Sequence, residues 1–371
     1  MTVPFHTVYL KKKVLLTKKE EKETYLLTFD TSQFPVSYKP GDSAAILPIN
    51  EDELVKKTLI AFRSPKDTLV FSPIEQKMLP LETFLTSQVN ISRFPTTLVR
   101  KMVEFQKATS GIEDLLLPEN KNALLKYTSD HALWDFLEEF PEHPPLQEIC
   151  SNLFPLTPRF YSIASSKSMY PNEMHLLVHK VVYTTSNHLR YGVASHYLCD
   201  LVEVEKTPVS LYIQPTHTFQ MPPMSQDLIM IGPGTGLAPF ISFLEERYIS
   251  KAKGKNWLFF GEWHKSSCFY FSDFLSKLQN EDFLSLDLAF SRDQKEKIYV
   301  QHRMREKKKE LWSWLENGAY LYVCGDAQKM AKDVDETLHR IAEEEGHLTS
   351  EEAINYIKNL RMQKRYVRDV Y

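Results

Sequence analysis

The sequence predicts an antiparallel β-barrel that carries a mainly helical insertion and is followed by an α/β unit built on a parallel sheet. Three observations predict this. Residues 1–48 and 156–222 hold short apolar runs separated by turn residues, as half-buried strands do. Residues 51–150 show apolar residues at helical spacing, punctuated by prolines. From residue 226, apolar runs ending in glycine alternate with helical stretches, the pattern of strand–helix units that build a parallel sheet. The expected domains are a barrel from 1–50 and 151–223, an insertion over 51–150, and an α/β domain over 224–371.

In the barrel, Val14–Thr17 and Thr24–Phe29 read as strands flanking the charged Lys18–Glu23, a solvated hairpin tip. Pro40-Gly41 makes a turn before the apolar Ser43–Pro48. In the insertion, Leu133, Phe136, Leu137 and Phe140 follow Asp130, an expected helix N-cap, and Leu81–Val89 and Thr97–Lys107 fit amphipathic helices. In the α/β part, Asp227–Ile231 is a buried strand, Gly232–Gly236 a tight loop, and Leu237–Ile249 a helix with Pro239 in its first turn. Trp257–Gly261 and Ala319–Gly325 are further strands. Met330, Val334, Leu338 and Ile341 mark a helix that stops near Gly346, and Thr349–Glu352 is a capping box.

Composition narrows the function. With 371 residues, 43% apolar and a formal net charge of −3, the chain supports real cores and lacks the basic excess of a nucleic-acid binder. Cys150, Cys199, Cys268 and Cys324 are widely separated, with no metal-ligand spacing, so neither a metal site nor a disulfide framework is expected. No signal peptide and no run near the roughly 20 apolar residues of a membrane span is present, and a cytosolic protein without membrane insertion is the expectation.

The stretch Arg159-Phe160-Tyr161-Ser162-Ile163-Ala164-Ser165-Ser166 offers a fixed cation, aromatic rings and hydroxyls. A planar, phosphate-bearing cofactor needs those groups, although an alternating strand with a surface arginine reads the same way. Gly192-Val193-Ala194-Ser195 opens a short helix and is either a pyrophosphate seat or an ordinary cap. Of the 11 glycines, residues 232, 234, 236, 261 and 325 sit just past predicted strands, where a backbone can approach a phosphate. Ser291, Arg292, Lys297, Tyr299 and Gln301 combine two cations, a ring and hydrogen-bond donors. That set suits a ribose 2′-phosphate, hence NADP; the alternative is a solvated charged loop.

Arg159–Ser166, Gly192–Leu198, Gly232–Phe240, Phe290–His302, Tyr322–Ala327 and Arg365–Tyr371 occur in the order found in diflavin reductases of the ferredoxin–NADP reductase superfamily, which the chain resembles throughout. The ending Asp369-Val370-Tyr371 resembles the sulfite reductase flavoproteins more than the microsomal cytochrome reductases. The resemblance implies that Arg159, Tyr161, Ser162 and Gly192–Ser195 (Gly192, Val193, Ala194 and Ser195) hold FAD, with Tyr371 stacked on the flavin. It implies that Gly234, Thr235, Gly236, Ser291, Arg292, Lys297, Tyr299 and Gln301 hold NADPH, and that Ser162, Cys324, Asp369 and Tyr371 serve hydride transfer. Tyr371 would have to move aside for the nicotinamide, a gating step.

Two departures from the family stand out. No arginine follows Gly261, where Glu262-Trp263-His264 stands, so His264 or another residue is expected to meet the phosphates. No FMN site is read in this chain, so a separate one-electron acceptor is expected: an FMN or flavodoxin-like protein, a ferredoxin, or the sirohaem subunit of a sulfite reductase. A ferredoxin, flavodoxin or cytochrome reductase unconnected with sulfite, and a non-catalytic flavin-binding assembly subunit, are the alternatives.

Overall fold

The computed structural model describes residues 4–18, 22–33, 37–106, 111–140 and 142–371. Contacts divide the chain into two units. One comprises Met1–Ala45, Phe160–His179 and Val204–Tyr371, the other Ile46–Arg159 and Lys180–Glu203.

In the first unit, apart from Ile46, Leu47 and Arg159, the strands β1 (His6–Leu15), β2 (Thr24–Asp30), β3 (Ser43–Leu47), β4 (Arg159–Ser162), β5 (Glu173–His179) and β6 (Pro208–Gln214) form a six-stranded sheet in the order β4-β3-β6-β1-β2-β5. β1 shows why these residues make strand: Val8 and Leu10 are buried while Thr7 and Tyr9 face outward, the period-2 pattern of a sheet with one wet face. The sheet closes on itself just past β4. Ile163 bridges Leu176 of β5, and the Ala164 N–H donates to the His175 carbonyl at 2.8 Å. Closure removes the exposed edges an open sheet would leave.

The same unit contains a second sheet of β7 (Leu228–Ile231), β8 (Asn256–Glu262), β9 (Leu284–Phe290), β10 (Tyr320–Gly325) and β11 (Tyr366–Val370), in the order β9-β8-β7-β10-β11. All its pairings are parallel. β7 and β8 are buried along their whole length because successive side chains enter different cores. Leu228, Met230, Leu258 and Phe260 pack with Phe240, Ile241 and Phe243 of the helix Ala238–Ile249. Ile229, Ile231, Trp257 and Phe259 pack with Val334, Leu338 and Ile341 of the helix Met330–Glu345. That helix stops at Gly346, and the capping box at Thr349 forms as expected: the Glu352 N–H donates to Thr349 Oγ1 at 3.3 Å, and the Thr349 N–H donates to Glu352 Oε2 at 2.8 Å. The edge strand β11 is not read from the sequence, where Tyr366-Val-Arg-Asp-Val370 carries too many charges to stand out.

The second unit is built on a core that includes Phe84, Leu98, Phe136 and Phe140, surrounded by the helices Asp52–Phe62, Leu81–Ser87, Thr96–Gln106, Lys121–Asp130, Leu133–Glu138 and Leu146–Asn152. Asp130 is not the N-cap expected from the sequence. It ends the helix Lys121–Asp130, and Ala132 caps the next one without a side-chain bond. The need for a cap is met by backbone instead, because the Leu133 N–H donates to the Ile91 carbonyl at 2.9 Å. Lys107, placed in a helix by the sequence reading, lies outside the described residues. Among the described residues no helix is long and apolar enough to cross a membrane.

Candidate active site

β10 and β11 run side by side in register, with Cys324 opposite Asp369. Both lie at the carboxyl ends of their strands, where parallel sheets place ligands. The end of the barrel strand β4 meets them there: Ser162 Oγ donates to Asp369 Oδ2 at 3.4 Å. Burial raises the carboxyl pKa of Asp369, and the Ser162 hydrogen bond opposes that shift. The Cys324 thiol is fully buried; burial first, then the neighbouring Asp369 charge, push its pKa well up. Cys324 is therefore a thiol at neutral pH, a small polarizable group and not a nucleophile.

Tyr371 ends the chain beside this cluster. Its backbone is fixed at both groups, the N–H donating to the Gly325 carbonyl at 3.1 Å and the carbonyl accepting from Ala327 at 3.2 Å. Its ring is 55% exposed, and the hydroxyl lies 2.8 Å from Thr235 Oγ1. Gly236 has a reason different from the phosphate approach expected of it. A Cβ there would stand 2.1 Å from the Cys324 carbonyl oxygen, so the glycine lets the loop pack on the end of β10. Gly234, at φ +60°, adopts a conformation that favours glycine, and a Cβ there would stand 3.4 Å from Glu262 Oε1.

On the cofactor-like strand, Arg159 is exposed, and Tyr161 and Ser162 are half-buried. Ser165 and Ser166 are fully buried and serve the fold instead of a ligand. Ser165 Oγ lies 2.9 Å from the Tyr38 hydroxyl and accepts the His175 N–H at 3.0 Å. The Ser166 N–H donates to Glu245 Oε2 at 2.7 Å, and its hydroxyl bonds to Glu246. Burial pushes the Glu245 carboxyl up to about 8.

In the second unit, Gly192 caps the short helix Val193–His196. The Ser195 hydroxyl is engaged within its own turn, accepting the Val181 N–H at 3.1 Å and donating to the Gly192 carbonyl at 3.0 Å. It thus shapes the turn. Beside it lies a cavity of about 320 Å³ lined by Lys57, Trp134, Tyr183, Tyr191, Val193 and His196, among others. The His196 ring stacks on Tyr191 at 4.3 Å and bonds through Nδ1 to Asp200 at 2.6 Å.

A cleft of about 470 Å³ opens over the ends of β8 and β9 in the first unit. Gly234, Ser291, Tyr299 and Gln301 line it, as do Gly261, Glu262, Trp263, Asp326, Lys329 and Asp333. Gln301 is held by Asp333 at 2.9 Å, and Tyr299 stacks on His302. Arg292 and Lys297 are exposed and are not part of the lining; the Arg292 guanidinium lies on the Trp263 ring, 3.5 Å from its centroid. His264 Nδ1 is 2.9 Å from Asp293 Oδ1. Two lysines reach the lining, Lys22 and Lys329, and Lys22 is paired with the buried Glu262. Lys22, expected in a solvated tip, is thus paired and largely covered, whereas residues 19–21 of that tip lie outside the described residues. Nothing in the local sequence marks Lys22, since its partner lies 240 residues away.

Comparison with known proteins finds two families along the chain. Residues 2–197 match the FAD binding domain family, and residues 230–336 match the oxidoreductase NAD-binding domain family. The chain is 37% identical over 99% of its length to the sulfite reductase [NADPH] flavoprotein alpha-component of Mannheimia succiniciproducens, covering 61% of that protein. The protein of the same name from Shewanella sp. (strain MR-4) is 36% identical over 99% of the chain, again with 61% covered. That of Yersinia pestis bv. Antiqua is 37% identical over 95% of the chain, with 58% covered. The chain therefore spans about three fifths of the length of these relatives. It belongs to the FAD binding domain family, in the diflavin branch of the ferredoxin–NADP reductase superfamily, and joins that domain to an oxidoreductase NAD-binding domain.

Proposed function

We propose that this chain is an NADPH-dependent FAD reductase that takes a hydride from NADPH and passes electrons singly to a separate protein, as the flavoprotein component of a sulfite reductase. The observation that carries the reading is the meeting of Ser162, Asp369 and Cys324 at the carboxyl ends of β10 and β11. It joins the barrel strand expected to carry FAD to the sheet expected to carry NADPH, within one contact unit.

The residues fit both groups. Arg159, Tyr161 and the Gly192–Ser195 turn would hold FAD, and the aromatic-lined cavity beside that turn suits a flat adenine. FAD, when bound, supplies a two-electron acceptor that can release electrons one at a time. Ser162 contributes a hydroxyl that donates its hydrogen bond to Asp369, which fixes the position of its oxygen. Cys324 presents a neutral thiol in a dry setting, and Tyr371 would cover the flavin as a displaceable ring. Ser291, Tyr299 and Gln301 line the cleft that would take the adenosine end of NADPH, and Arg292 lies on Trp263 of that lining; Lys297 would join them at the 2′-phosphate and Thr235 would meet the pyrophosphate. The similarity to sulfite reductase flavoproteins supports a haem subunit as acceptor; a ferredoxin or flavodoxin-like protein is the other candidate.

Ferricyanide, a permissive acceptor, tests the reading. The FAD-loaded protein is expected to reduce it with NADPH, and to support sulfite reduction when a sulfite reductase haem protein is added. Bound flavin without ferricyanide turnover would instead favour a flavin-binding assembly subunit.

A further inference from the structure

We propose that Trp263 sets the preference for a 2′-phosphorylated nicotinamide nucleotide by holding two cations, Arg292 and Lys22, on its indole at the cleft. The proposal rests on the NADPH reading above and explains what stands in for the arginine that related reductases carry after Gly261.

Trp263 follows directly on β8 and lines the cleft. An indole cannot bind phosphate by charge, but its face attracts cations more strongly than any other side-chain ring. The Arg292 guanidinium carbon lies 3.5 Å from the ring centroid, and the Lys22 ammonium lies 5.3 Å from it. Two like charges near one ring repel, and the structure offsets this with Glu262. Its buried carboxylate pairs with Lys22 and also accepts the Trp263 N–H at 2.8 Å, so one acid fixes the ring's backbone and one of its cations.

The other cation is fixed by backbone. The Ser291 N–H donates to the Glu262 carbonyl at 2.8 Å, and the Arg292 N–H donates to the Trp263 carbonyl at 2.9 Å. These bonds carry the β8–β9 pairing two residues past the strands and set Arg292 over the ring. Stacking occupies the face of a guanidinium, while its donors radiate in the plane, the geometry that grips a phosphate. Ser291, whose hydroxyl is 3.3 Å from the Glu262 carbonyl, stands in the cleft wall beside this platform. A ribose 2′-phosphate brought to the cleft would meet oriented charge in place of two flexible side chains, and so lose less freedom on binding.

The test compares Trp263→Leu, which keeps apolar bulk and removes the π face, with Trp263→Phe, which keeps a smaller one. Affinity for 2′,5′-ADP and the ratio of kcat/KM for NADPH to that for NADH are measured on protein of equal flavin content. Trp263→Leu is expected to lower the ratio about 10-fold through KM for NADPH and to weaken 2′,5′-ADP binding equally, with Trp263→Phe in between. A Trp263→Leu protein with the unmodified ratio would overturn the proposal, as would equal losses for both nucleotides. If the unmodified protein does not prefer NADPH, the NADPH reading itself has failed; that outcome appears before any variant is made.

Discussion

Among single residues, Ser162, Asp369 and Cys324 carry the account, and each has an outcome that can be measured. Ser162→Ala removes the hydroxyl that donates to Asp369 and is expected to slow flavin reduction by NADPH about 10²-fold while flavin content holds. Rapid-mixing rates at saturating NADPH would show it. Cys324 is buried, and the shift in its thiol leaves almost no thiolate, so iodoacetamide at pH 8 should not alkylate it in the native protein. Peptide mapping by mass spectrometry checks this, and rapid native labelling would contradict the buried-thiol assignment. The sequence pattern points to this trio through the family motifs, because residues at strand ends keep their place when the intervening chain changes. Residue type alone, without the resemblance, does not separate Ser162 from Ser165 and Ser166: identical side chains a few residues apart go to a site or to the fold according to partners such as Tyr38 and Glu246, which lie far away in the chain.

At the level of elements, the glycine loop and the flavin strand are held by contacts of unlike kinds. Gly236 touches the end of β10 so closely that Gly236→Ala must shift backbone, with an expected loss of about 1–3 kcal/mol in denaturant unfolding. The segment after β4 is held to the helix Ala238–Ile249 at Ser166 by Glu245, whose carboxyl is pushed up to about 8 by burial. Tyr38, Tyr170 and Glu173 face the same region and Glu246 adjoins it on the helix. A raised folded-state pKa stabilises fully below the ordinary carboxyl range, and the contribution is lost as pH rises toward about 8. Glu245→Gln can still accept the Ser166 N–H and should therefore flatten the fall in stability between pH 5 and about 8, leaving the variant the more stable at the upper end. Melting temperatures across that range give the answer; an unchanged slope would show that Glu245 is ionised throughout. The helices Met330–Glu345 and Ser350–Met362 are legible because each has a local stop or cap, whereas the cap assigned to Asp130 fails because a distant carbonyl, Ile91, does the work.

For the molecule as a whole, a barrel that closes through Ile163 and a parallel sheet that ends at Cys324 and Asp369 lie in one unit, and the cluster between them is where hydride transfer is proposed. The barrel, the helical insertion and the α/β architecture are legible because their periodicities differ. The contacts of Lys22 with Glu262 and Trp263 are not, because they join segments more than 200 residues apart in the chain. The most direct measurement is anaerobic rapid mixing of the FAD-loaded protein with NADPH while the visible flavin absorbance is followed. The account predicts fast bleaching with NADPH, much slower bleaching with NADH, and loss of the fast phase in Ser162→Ala. Flavin that stays oxidised in NADPH would contradict it.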